Sequence, residues 1–160
     1  MNILTNEFKY TEYKTSEIPE KYTEIIEEAK SQTKNAYAEY SNFRVGAAVL
    51  LKNGIIIGGN NQENAAFPSG LCAERTAVFY ANSQYPDVPV KTIAIAAFTN
   101  GDFLKDPISP CGGCRQVLLE TENRFGKDIE FIMYGTEKTY ILSNVRSLLP
   151  FSFGKENLEK

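Results

Sequence analysis

The chain has 160 residues, with 17 basic and 20 acidic side chains and a net charge of −3; that is enough for one ordinary domain with a real core. Its lysines are scattered, so no basic block tracks a nucleic-acid backbone, and no apolar run reaches the ~20 residues of a membrane span. It has no histidine and three cysteines, Cys72, Cys111 and Cys114. The first count excludes Ser-His-Asp, Cys-His and HExxH chemistry; the second is odd and speaks against a disulfide framework.

The opening "MNILTNEFKY" lacks the basic-then-apolar layout of a signal peptide, so a cytoplasmic location is expected. Residues 1–18 read as a strand or a loose arm. "PEKYTEIIEEAKSQTKNAYA" puts Pro19 at a helix start, with Tyr22, Ile25, Ile26 and Ala29 at helical spacing. "FRVGAAVLLKNGIIIGGN" reads as two strands joined at Lys52-Asn53-Gly54, because Asn-Gly between apolar runs signals a hairpin. "LCAERTAVFYANSQ" predicts a helix with Ala77, Val78 and Ala81 on its apolar face. "VKTIAIAAF" is nearly all apolar and predicts a strand buried on both faces. "CGGCRQVLLETENRFG" predicts a helix ending near Gly126. "IEFIMYG" and "TYILS" predict a hairpin across residues 135–138, and "NVRSLLP" a short closing helix. Helices that alternate with strands in this order predict an α/β layer fold with a mixed sheet, in one domain spanning 1–160.

A CxxC such as "CGGC" can be a redox pair, two buried small hydrophobes or part of a metal site. The third cysteine favours the last reading. Cys72 opens one predicted helix and Cys111 another, 39 residues later. Helix N-termini favour thiolates, and three thiolates so placed can hold a tetrahedral Zn²⁺. With no histidine and no fourth cysteine one coordination position stays open, which marks a catalytic rather than a structural zinc. Glu74 lies two residues past Cys72; a carboxylate beside zinc-bound water can take and return its proton, although a first-turn Glu can also be a solvated helix residue. Arg75 supplies a cation against the excess thiolate charge. Arg115, after Cys114, reads as a helix-surface or subunit-contact residue.

"CAERTA" followed by "PCGGCRQVLLE" resembles the signature of the cytidine deaminases. "YSNFRVGAAVL", "GGNNQENAAFPSGLCAERTA", "ISPCGGCRQVL" and "LLPFSFG" extend the likeness, in order, to the small homotetrameric members with all-cysteine zinc ligands. The resemblance implies a three-layer α/β/α fold with a mixed five-stranded sheet, preceded by an arm over 1–18. It implies one Zn²⁺ per subunit held by Cys72, Cys111 and Cys114, and hydrolytic deamination of cytidine and 2′-deoxycytidine to the uridine products in pyrimidine salvage. Glu74 would take a proton from the zinc-bound water, protonate ring N3 and deliver a proton to the departing amine. Arg75 matches an arginine that hydrogen-bonds the ligand thiolates and offsets their charge. Asn61 and Glu63 match a pair that holds the ribose 3′-hydroxyl, and Phe43 an aromatic that packs on the nucleoside. The Ala73 backbone lies where the family contacts the pyrimidine, and Phe153 matches a phenylalanine that reaches into a neighbouring subunit's site. Asn61 and Glu63 could also be simple turn residues, and Phe43 a core residue.

The partners implied are a free nucleoside and three further copies of the chain, with no nucleic-acid polymer and no membrane. A deaminase for another cytosine nucleoside, such as blasticidin S, is the alternative. Three features depart from the family pattern. Arg44 stands where many relatives have Pro or Gln, Phe67 replaces a common tyrosine, and "YPDVPVKTIAIAAFTNGDFLKDP" is slightly long.

Overall fold

A computed structural model describes residues 1–158. In chain order the elements are β1 (Thr11–Lys14), α1 (Thr23–Gln32), β2 (Arg44–Leu51), β3 (Ile56–Asn60), α2 (Ala73–Gln84), β4 (Val90–Thr99), β5 (Asp102–Phe103), α3 (Gly112–Phe125), β6 (Glu130–Met133) and β7 (Lys138–Leu142). They build one mixed sheet in the order β1-β7-β6-β4-β2-β3, with β5 on the end of β4. The β4–β6 pairing is parallel; the other pairings are antiparallel.

Helical and strand periodicities account for the layering. The predicted face of α1 is buried: Tyr22, Ile25, Ile26 and Ala29 pack on Ala48, Ala94, Ala96 and Ile132 on one side of the sheet. On the other side Ala77, Val78 and Ala81 of α2 and Leu118 of α3 pack on Ala47, Val49, Ile93 and Ile95. Alternate residues of β2 and β4 therefore serve opposite faces, which is why these strands are apolar almost throughout. Gly59 lets α2 settle on β3: a Cβ there would stand 2.5 Å from the Ala77 backbone nitrogen. Gly126 ends α3 in the left-handed region, at φ 59°, where a residue without Cβ is unstrained.

The three layers are as expected, but the sheet has seven strands rather than five. One addition is β1, the arm, which pairs with β7; its "TEYK" is mostly exposed and has no alternation for periodicity to detect. The other is the two-residue β5, which folds back on β4 through a turn with Asn100 and Gly101 at positive φ. It lies within the stretch that the sequence marks as slightly long. The first helix is shorter than its segment: a 3₁₀ turn covers Glu20–Tyr22 and another Thr33–Asn35. The closing helix reduces to a 3₁₀ turn over Arg146–Leu148. There Asn144 Oδ1 accepts from the Ser147 backbone N–H at 3.0 Å, and Pro150 stops any continuation. Among the described residues no helix is long and apolar enough to cross a membrane.

This closing turn is held by a buried carboxylate. Glu122 Oε2 accepts the backbone N–H of Ile129 at 3.0 Å and of Val145 at 2.9 Å. Glu122→Ala strands both buried donors and is expected to destabilise the fold by about 2–4 kcal/mol, read as a drop in the denaturation midpoint. Glu122→Gln keeps an acceptor and should lose less.

Candidate active site

Topology brings the cysteines together. β3 and β4 both run antiparallel to β2, so their carboxyl ends lie at one sheet edge. The chain leaves β3 for α2 and β4 for α3, and both helices start at that edge, where α/β sheets bind ligands. Cys72 is the N-cap of α2 and Cys111 the N-cap of α3. Cys114 sits one turn on and is fully buried.

The sulfurs converge. All three lie within 4.8 Å of one another, the one such cluster of ligand atoms among the described residues. Tetrahedral zinc with Zn–S of about 2.3 Å sets neighbouring sulfurs about 3.8 Å apart; Cys72 Sγ and Cys111 Sγ are 3.8 Å apart. The donor set therefore fits the ion. Without metal the cluster already shares a negative charge. A hydrogen bond from the Cys114 thiol, helped by Arg75, brings the Cys72 thiol down to about 5. The same hydrogen bond and burial push Cys114 up. Arg75 Nη2 donates to Cys72 Sγ at 3.8 Å, the kind of contact the family resemblance implies.

Glu74 is 5 % exposed, in the first turn of α2. Burial raises its carboxyl above the ordinary range, and the Cys72 thiolate adds to the rise; a metal cation among the thiolates would oppose both effects. A solvated helix surface is therefore not its environment. The carboxyl opens on a cleft of about 430 Å³ beside Cys72 and Cys111, within the usual range of small-molecule sites. Phe43, Asn61, Glu63 and Ala73 line the same cleft.

Asn61 and Glu63 also brace the cleft wall. Asn61 Oδ1 accepts from Val45 N–H at 2.7 Å, and its Nδ2 donates to the Phe43 carbonyl at 2.9 Å. Glu63 accepts from Tyr40 N–H at 2.9 Å and from the Ser41 hydroxyl. These bonds, Ser41 first, hold its carboxyl below the usual range. Phe153 is exposed, and its carbonyl accepts from Gln116 Nε2 at 2.8 Å; it is not among the residues lining this cleft. Of the departing residues, Arg44 donates to the Lys34 carbonyl at 3.3 Å. Phe67 stands edge-on to Tyr40 with ring centroids 6.0 Å apart, in a second cleft that also borders Arg75. Sequence reasoning did not single out Ser41, Ile108 or Ser109, which line the main cleft. Their closeness in sequence to Phe43 and Cys111 was the available signal.

Comparison with known proteins agrees with this geometry. Residues 19–126 match the family model described as the cytidine and deoxycytidylate deaminase zinc-binding region. A cytidine deaminase of Sporosarcina psychrophila is 40% identical over 134 residues, covering 84% of this chain and 92% of that one. One from Halalkalibacterium halodurans is 47% identical over 96 residues, covering 60% and 68%. The crystal structure of the Burkholderia pseudomallei cytidine deaminase superposes with a TM-score of 0.69 at 37% identity, covering 81% of this chain and 97% of that one. The chain belongs to the cytidine deaminase family.

Proposed function

We propose that this one-domain chain hydrolyses cytidine and 2′-deoxycytidine to uridine and 2′-deoxyuridine, releasing ammonia, with zinc held by Cys72, Cys111 and Cys114, one ion per subunit. The observation that carries the reading is that buried Glu74 lines the same cleft as Cys72 and Cys111, two of three convergent sulfurs. Zinc in that cluster supplies a Lewis acid that makes water a competent nucleophile at neutral pH.

The chain's residues do the rest. Glu74 accepts the proton that water loses as oxygen bonds to C4. It passes that proton to ring N3, then takes the second one from the C4 hydroxyl and delivers it to the amino nitrogen, so the C4–N bond breaks as the C4 carbonyl forms and ammonia leaves. Burial raises this carboxyl above the ordinary range, which favours its protonated form and so suits it to donate as well as accept. Arg75 offsets thiolate charge. Asn61 and Glu63 line the cleft; the second Asn61 N–H and the Glu63 carboxylate would hold the ribose 3′-hydroxyl, the Ala73 backbone would meet the pyrimidine edge, and Phe43 would pack against the nucleoside. An anionic Glu63 also disfavours a 5′-phosphate nearby. The relatives named above are cytidine deaminases, which supports cytidine over blasticidin S.

We further propose a homotetramer working in cytoplasmic pyrimidine salvage. Exposed aromatics on and beside α2, among them Tyr40, Phe67, Phe79 and Tyr80, offer assembly surface. Phe153, exposed in the single chain, would complete a neighbour's site. The test is the ultraviolet absorbance of cytidine with zinc-loaded protein. The expected result is loss of the cytidine band with one ammonia per turnover; a stable band across substrate concentrations would sink the reading.

A further inference from the structure

The sequence leaves Arg115 as a helix-surface or subunit-contact residue, but the structure half-buries it and commits its guanidinium to two main-chain carbonyls. Its Nε donates to Pro110 O at 2.9 Å and its Nη1 to Leu148 O at 3.3 Å. Pro110 is buried and immediately precedes Cys111. Leu148 closes the turn that leads to Phe153.

The local chemistry explains why such a tie is needed. A helix entry is ordinarily fixed by an N-cap Ser, Thr, Asp or Asn whose oxygen accepts a first-turn N–H. Here cysteines occupy both N-cap positions, and neither makes a side-chain cap bond. Pro110 has no N–H with which to anchor the loop, and its buried carbonyl requires a donor. Each helix then carries an arginine in its first turns that reaches back. Arg75 returns three residues to the Cys72 sulfur, and Arg115 returns five residues to the Pro110 carbonyl. The guanidinium is suited to this, since its planar fork presents several donors that are always charged.

We propose that Arg115 is a positioning residue for the metal-ligand loop, locking the backbone before Cys111 to the closing turn at Leu148. It fixes the entry of α3, which no N-cap side chain holds. It also ties the thiolate set to the segment carrying Phe153, which Gln116 and Glu122 of the same helix hold at other points. The proposal rests on Cys111 and Cys114 as zinc ligands.

The test follows zinc release from the loaded, full-length protein to a chromophoric chelator, with hydrogen exchange at residues 145–153 in parallel. Neither readout depends on cytidine turnover. Arg115→Gln is expected to release zinc about ten-fold faster or more, the low end of what loss of a supporting contact costs a metal site, and to speed exchange around Leu148. Arg115→Lys, with a single donor group, should fall between Arg115→Gln and the unaltered protein. Gln116→Ala should free the Phe153 end of the tail and leave zinc release within two-fold. Unaltered release in Arg115→Gln overturns the lock while leaving the ligand reading intact, whereas an unaltered chain that holds no zinc overturns both. Should Arg115→Gln fail to fold, Arg115→Lys decides, and release at the unaltered rate rejects the proposal. Equal acceleration by Gln116→Ala also rejects it, because general loosening of α3 would then suffice.

Discussion

Glu74→Gln is expected to keep the fold and the metal while lowering turnover about 10³–10⁴-fold, the upper end of what a positioned acid–base group contributes. The upper end applies because one carboxyl serves every proton transfer: from water, to N3 and to the leaving amine. Gln has the size of Glu and cannot ionise, so the packing of α2 against β3 is kept. The same substitution carries a prediction about stability. Burial raises the Glu74 carboxyl in the fold. In metal-free protein there is then a pH window where the folded chain keeps this proton and the unfolded chain has released it. Within that window the folded state binds more protons, so stability falls as pH rises. Glu74→Gln should remove this slope and leave the metal-free protein at least as stable at neutral pH. Metal content, thermal midpoints across pH and cytidine turnover measure the three parts. Turnover near that of the unaltered protein would remove Glu74 as the proton carrier.

Such a residue is legible in a sequence because its neighbours are. Cys72 and Glu74 share one helix turn, and the three cysteines with no histidine narrow the metal chemistry to one donor type. The helix faces were legible for a related reason: burial imposes a 3.6-residue period on α1 and α2 and none on β4, which is covered on both sides. What stayed hidden depends on pairing between distant segments. The first 18 residues leave strand and loose arm open, because β1 is four mostly exposed residues that become a strand only by meeting β7. Arg115 looks like a surface residue until the closing turn, 33 residues away, arrives beside it. Glu122, which nothing in the sequence singles out, accepts the Val145 amide 23 residues on. Asn61 and Glu63 stand between the two cases: their position after a strand is visible, but their bracing of Val45, Tyr40 and Ser41 is not.

Cys111→Ser is expected to abolish stoichiometric metal binding and lower turnover at least as far as Glu74→Gln, with no loss of metal-free stability. The three cysteines differ in setting: Cys111 is exposed, Cys72 intermediate and Cys114 buried. A cysteine retained for packing should sit in the core, as Cys114 does, and its removal should cost stability directly. Cys111 does not pack in the core. As the N-cap of α3 it occupies a position where serine is preferred, because the hydroxyl oxygen can accept a first-turn N–H. Serine there should therefore leave metal-free stability unchanged or raise it by about 0.5–1 kcal/mol, in the range of N-cap replacements. Metal chemistry sets the opposite preference. A neutral hydroxyl is a poor ligand for an ion that selects thiolates, and two sulfurs cannot replace three. The two effects have opposite signs at one atom, so they separate cleanly. Equal or higher metal-free stability with metal lost identifies Cys111 as a ligand that displaced a better helix cap. Cys114→Ala should lose metal and stability together. Full zinc occupancy in Cys111→Ser, by elemental analysis of the dialysed protein, would reject the ligand set.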